Sequence, residues 1–215
     1  MNVLVVGGHG QIALRLLRLL ADRGDAARGL VRNAGHAGDL EAAGATPVVL
    51  DLEGDADLAE AVRGADAVVF AAGAGPGSGP ERKRTVDLGG ATKLIDACAA
   101  AGVSRYLMIS AMGVDRPGHS GPMAPYYEAK READAAVRDA GLDYTIVRPG
   151  RLTDDPGTGR VEVGSPLDHG GEVSRDDVAA TLLAALDEPR SAGVQLDLIG
   201  GATPIDAALA SLIAR

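Results

Sequence analysis

The chain is poor in aromatic residues: one phenylalanine, four tyrosines and no tryptophan in 215 residues. A core built on stacked rings is excluded, so Val, Leu, Ile and Ala must fill the interior. There is one cysteine, Cys98, so no internal disulfide can form. It sits in an alanine-rich helical pattern and reads as a small buried hydrophobe, not a redox group. Positive charge is also short, with 21 Lys and Arg against 30 Asp and Glu and a net charge of -9. Such a surface repels phosphate backbones, so no nucleic-acid partner is expected. No apolar run approaches the length of a membrane span, and the N-terminus lacks a basic stretch followed by a signal-like apolar run. The expected location is therefore the cytoplasm, with no membrane partner. No His/Cys/Asp cluster has metal-ligand spacing and there is no Gly-x-Ser-x-Gly elbow, so neither a metal site nor a serine hydrolase is expected.

Apolar residues make up 46% of the chain, enough for a core covered on both faces. Aliphatic runs at 2–6, 28–32, 46–50, 67–71, 105–110, 144–147 and 194–199 read as strands. Between them, helical patterns occupy 11–21, 37–43, 58–62, 86–101, 126–140 and 175–186, with a last helix at 204–214. Ser174 is placed to cap the helix that starts at Arg175. This alternation, with right-handed crossovers, gives an α/β fold: a doubly wound parallel sheet of Rossmann type in three α/β/α layers. Residues 1–215 read as one domain, with a small substrate lobe from about 151 to 172 and a possible small strand at 160–163. Loops rich in Gly and Pro at 73–80 and 113–125, and an irregular stretch at 151–171, all leave carboxyl ends of strands. Ligands bind there in open α/β sheets.

The first strand ends in Gly7-Gly8-His9-Gly10-Gln11-Ile12-Ala13 and runs into a helix. Strand, glycine turn and helix are the context in which such a loop cradles a pyrophosphate. Gly7 permits the tight turn, Gly10 lets a phosphate approach the backbone, and Ala13 lets the helix pack on the strand. Free N–H groups at Gln11 and Ile12 then face the anion. His9 either reaches a phosphate or points to solvent. Strand two ends in Arg32, where an NAD enzyme typically carries Asp or Glu for the ribose hydroxyls. A guanidinium there suits a 2′-phosphate, so NADP(H) is expected over NAD(H). Asp51 and Leu52 follow strand three, at the expected adenine contact. Ala71, Ala72 and Gly73 end strand four, and their small size lets a cofactor lie across the sheet edge.

Five segments together resemble a known family: the glycine loop, Leu30-Val31-Arg32-Asn33, Val86-Asp87-Leu88-Gly89-Gly90, Leu142-Asp143-Tyr144-Thr145-Ile146-Val147-Arg148-Pro149-Gly150 and Ser174-Arg175-Asp176-Asp177-Val178-Ala179. The chain is similar to the atypical short-chain dehydrogenase/reductases of the NmrA-like, NAD(P)H-binding group. The resemblance implies strand order 3-2-1-4-5-6-7, a bound NAD(P), and a nicotinamide end near Pro149. It does not imply one reaction, because the group holds quinone, flavin and biliverdin reductases, sugar epimerases and non-catalytic sensors.

Tyr126 and Lys130 are four residues apart on one helix face. They match the Tyr-x-x-x-Lys signature of reductases in this class. A carbonyl that receives hydride must gain a proton, and a lysine ammonium beside the tyrosine is expected to stabilise its phenolate. Lys130 is also expected to hold the nicotinamide ribose, and Ser110, at the end of strand five, to polarise the substrate carbonyl. The function expected is an NADP(H)-dependent oxidoreductase acting on a small carbonyl, quinone or flavin-like acceptor. Two alternatives remain: a non-catalytic NADP(H) sensor and an NAD-dependent sugar epimerase. The protein is expected to be a monomer or a homodimer joined through the helices at 86–101 and 126–140.

Overall fold

Val3, Leu4, Val5 and Val6 have no exposed surface. A strand with both faces buried needs helices on both sides, and the fold supplies them. The computed structural model describes residues 1–54, 57–75 and 77–214. The elements are β1 (Asn2–Val6), α1 (Gln11–Asp22), β2 (Ala26–Val31), α2 (Ala37–Ala42), β3 (Thr46–Val49), α3 (Leu58–Val62) and β4 (Ala67–Phe70). Then come α4 (Pro80–Arg82), a π-helical segment (Lys83–Gly89), α5 (Gly90–Ala101), β5 (Arg105–Ile109), α6 (Ala124–Asp139) and β6 (Asp143–Pro149). The last part holds β7 (Arg151–Thr153), β8 (Arg160–Gly164), β9 (Glu172–Ser174), α7 (Arg175–Asp187), β10 (Val194–Gly200), β11 (Thr203–Pro204) and α8 (Ile205–Ile213).

The large sheet runs β11-β8-β10-β6-β5-β4-β1-β2-β3. From β3 to β10 every pairing is parallel. With β10 counted as the seventh strand, this is the order 3-2-1-4-5-6-7. The sheet is not wholly parallel, however: β8 pairs antiparallel with β10, and β11 antiparallel with β8. The short run at 160–163 is therefore an edge extension of the main sheet. Separately, β7 and β9 pair as a two-stranded parallel ribbon. These contacts join residues far apart in sequence, and no local pattern encodes them.

Alternate residues of β1 divide the core. Val3 and Val5 pack with α1, α7 and α8, whereas Leu4 and Val6 pack with α3, α5 and α6. The Ser174 hydroxyl accepts the Asp177 amide at 3.0 Å and caps α7. Asp176 and Asp177 do more than favour the helix dipole. They accept the amides of Gly157, Thr158 and Gly159, fastening that loop over the helix N-terminus. Cys98 is fully buried, and burial pushes its thiol up to about 12. It is inert packing material. Pro125 and Pro80, expected in loops, instead lie in the first turns of α6 and α4, where proline is tolerated. Pro76, part of the loop expected at 73–80, lies outside the described residues. Among the described residues, no helix is long and apolar enough to cross a membrane.

Leu16 of α1 has no exposed surface and belongs to the core on the α1 and α7 side of the sheet. Leu16→Ala is expected to lower the unfolding free energy by about 2–5 kcal/mol, measured by urea denaturation.

Candidate active site

The loop between β1 and α1 is built by backbone alone. The amides of Gly7 and Gly8 both donate to the Leu30 carbonyl, at 3.1 and 2.9 Å, so the turn is locked against β2. Gly7 adopts φ +83°, and a Cβ there would lie 2.6 Å from the Ala72 Cα. Only glycine lets β1 and the end of β4 come this close. Gly10 caps α1 without any side-chain bond. The amides of Gln11 and Ile12 are thus left as free donors at the positive end of the helix. Ala13 is buried beneath them.

A cleft of 390 Å³ opens over this loop, with Gly7, His9, Gly10, Arg32, Asp51 and Leu52 in its wall. Ala71, Ala72 and Gly73 form its floor at the sheet edge. Val86, from the family-like segment, also lines it, as do three residues not singled out from sequence: His36, Glu53 and Arg82. Glu53 organises the far end. It lies 3.0 Å from the Arg82 guanidinium and 3.8 Å from that of Arg32, and accepts the Thr85 hydroxyl at 2.6 Å. Two guanidinium groups therefore converge beyond β2. Arg82 comes from the helical turn after the loop at 73–80, and no local motif signals its approach to Arg32. His9 lines the cleft and is partly exposed. Its ring stacks on His36 at 3.7 Å and its Nε2 lies 2.8 Å from Asp39. Asp51 accepts the Glu53 amide at 3.0 Å, which shapes the turn. Arg28 points the other way, bonding the Asn2 side chain and the Ala61 carbonyl.

A second pocket, of 210 Å³, meets the cleft at Ala71, Ala72 and Gly73. It gathers Ser110, Tyr126 and Lys130 against Pro149, Gly150 and Leu152. The three candidates, drawn from β5 and α6, thus share one cavity. Ser110 is buried at the end of β5, and its hydroxyl lies beside Asp134 without an aligned bond. Tyr127, the neighbour with the wrong spacing, instead stacks on His119 at 3.9 Å.

The electrostatics differ from expectation in one respect. The Lys130 ammonium lies 3.3 Å from the buried Asp87 carboxylate and donates to the Ile109 carbonyl at 3.0 Å. Its charge is already neutralised. Burial, reinforced by Asp87, holds the Tyr126 phenol well above its ordinary range. Behind Tyr126, Asp134 has no exposed surface and pairs with Arg148, whose Nε donates to it at 2.7 Å. Burial raises the Asp134 carboxyl, and Arg148 offsets part of that.

Arg148 also reaches Asp115, at 2.6 Å, and borders a larger polar cavity of 640 Å³. The loops around Gly113–Pro117 and Ser165–Gly170 enclose it, with Asp197 of β10 buried at its base. None of Ser110, Tyr126 and Lys130 lines this cavity.

The residues fit a dinucleotide. A side-chain-free turn accommodates the pyrophosphate, free helix amides face it, guanidinium groups stand at one end and a hydroxyl-rich pocket lies at the other. Comparison with known proteins agrees. A family model described as NAD(P)H-binding matches residues 7–189. The uncharacterized sugar epimerase YhfK of Bacillus subtilis is 43% identical over 215 residues, covering 99% of this chain and 100% of that protein. Among solved structures, one from Bacillus halodurans, provisionally described as an NAD-dependent epimerase/dehydratase, has a TM-score of 0.94 at 37% identity, covering 99% of this chain and 100% of its own. The oxidoreductase ylbE of Lactococcus lactis has a TM-score of 0.87 at 26% identity, covering 100% of this chain and 98% of its own.

Proposed function

Because the chain belongs to this NAD(P)H-binding family, we propose that it is an NADP(H)-dependent oxidoreductase that reduces a small carbonyl, quinone or flavin-like acceptor. One observation carries the reading: the cleft holding Arg32 and Arg82 joins, at Ala71 to Gly73, the pocket holding Ser110, Tyr126 and Lys130. The first cavity suits the adenosine and pyrophosphate, and the second suits the nicotinamide and the reacting end of the acceptor. The resemblance of the fold to ylbE, described as an oxidoreductase, supports the same class.

Gln11 and Ile12 amides hold the pyrophosphate, and Arg32 with Arg82 holds the 2′-phosphate. When bound, the cofactor supplies a hydride. Ser110 orients the acceptor oxygen, and Tyr126 donates the proton that this oxygen needs. Lys130 keeps one N–H for a ribose hydroxyl, beyond those directed at Asp87 and Ile109.

Steady-state NADPH oxidation against a panel of quinones, flavins and aldehydes tests this reading. Turnover with at least one class is expected. Tight NADPH binding with no oxidation of any acceptor would refute it. Arg32→Ala is expected to weaken NADPH by about 10–100-fold, the loss of a charge-assisted bond, and to leave NADH nearly unchanged. Fluorescence titration of both cofactors checks this.

The names of the relatives favour a second reading, sugar epimerisation. That chemistry needs a tyrosine able to take a proton as well as give one. The Tyr126 surroundings oppose the former. Conversion of a nucleotide sugar without net NADP turnover would establish it.

A further inference from the structure

The π-helical segment Lys83–Gly89 interrupts the helix that leads into α5. Such segments widen a helix by one residue and often sit at functional sites. Here the segment turns Asp87 inwards. The carboxylate is 1% exposed; one oxygen accepts the Ala74 amide at 3.1 Å and the other lies 3.3 Å from Lys130 Nζ. A Cβ on Gly73 would stand 3.2 Å from that second oxygen, so the chain is glycine where the carboxylate needs room. Asp87 therefore ties together the floor of the dinucleotide cleft and the lysine of the reactive pocket.

The charges around Tyr126 can be counted. The π-helical segment offers Asp87, α6 offers Lys130, Asp134 and Tyr127, β6 offers Arg148 behind Asp134, and β5 ends in the neutral Ser110. His119 touches only Tyr127 among these groups. Two buried carboxylates face two buried cations, in the pairs Asp87–Lys130 and Asp134–Arg148. With Asp115 also on Arg148, three carboxylates face these two cations, so no uncompensated positive charge draws the proton from the phenol.

We propose that Asp87 is a positioning residue for proton transfer: by pairing with Lys130 it keeps Tyr126 protonated, poised as the proton donor of the reductive step. The inference rests on the oxidoreductase reading for its meaning but not for its test. In the step itself, the Tyr126 O–H bond breaks and an O–H bond forms on the acceptor oxygen. The electron pair arrives with the hydride supplied by the dinucleotide, and water returns a proton to the phenolate.

The test is a spectrophotometric titration of phenolate absorbance in the unliganded protein, with Tyr126→Phe subtracted to isolate one ring. In the wild type Tyr126 is expected to ionise above the ordinary phenol value of about 10. Asp87→Asn, which frees the lysine charge, is expected to lower that ionisation by about 1–3 units. The double variant Asp87→Asn/Lys130→Met removes a neutral pair and should return it towards the wild-type value. An unchanged titration in Asp87→Asn would overturn the proposal. Should that variant not fold, a wild-type Tyr126 ionising below the ordinary value would overturn it equally. A chain that reduces no acceptor would sink the functional reading yet leave this titration intact. With an active acceptor, the alkaline limb of kcat is expected to move down in pH in Asp87→Asn.

Discussion

Replacing Tyr126 by phenylalanine is expected to lower NADPH-dependent reduction by about 10²–10⁴-fold, the usual contribution of a positioned proton donor. The loss should fall on kcat, because the phenol acts on the acceptor oxygen, whereas the pyrophosphate and 2′-phosphate that anchor the dinucleotide are held in the adjoining cleft. Gly7, Gly10 and Arg32 line the cleft, and Tyr126 lines only the adjoining pocket. NADPH affinity is therefore expected to stay essentially unchanged. Removing one hydroxyl leaves the ring's packing intact, so thermal stability should also hold. Stopped-flow NADPH oxidation beside a binding titration separates the two effects. Equal turnover in the variant would take the tyrosine out of the mechanism.

Gly7→Val should abolish useful cofactor binding. The position requires φ +83°, and a side chain there would meet the Ala72 backbone at 2.6 and 2.7 Å. The backbone strain alone costs about 1–3 kcal/mol. Relief means moving either β1 or the end of β4, and both carry the turn that aims the helix amides. Loss of two charge-assisted bonds to a phosphate corresponds to about 10²–10⁴-fold in affinity. NADPH fluorescence titration, with urea denaturation to measure the stability loss, checks both parts. Binding retained at wild-type strength would show that the phosphate does not use this turn.

Much of the fold is legible from local pattern. The strands are short and aliphatic because both faces are buried, so continuous apolar runs mark β1, β4, β5 and β10 directly. The glycine loop is legible because its chemistry is backbone chemistry and needs small residues in one order. Tyr126 and Lys130 are legible because helical spacing alone puts them on one face. What escapes is tertiary. The antiparallel β8 and β11 join an edge strand formed by residues more than thirty positions away. Arg82 meets Arg32 only because the chain returns over β3 and β4, and Glu53 holds the two guanidinium groups together. Asp87 reads as one letter of a family-like motif; its contact with Lys130 depends on the π-helical turn, which no residue spacing announces. That contact gives the lysine a carboxylate partner that its spacing to Tyr126 does not announce. A charge counted from sequence is free until its partner is known.

Free amides at the start of α1, aided by Arg32, are expected to bind a phosphate-bearing dinucleotide. Calorimetric titration of the purified chain with NADPH and then NADH tests it most directly. Saturable binding of one dinucleotide per chain, tighter for NADPH, is the expected result. No detectable association with either would contradict the account at its base.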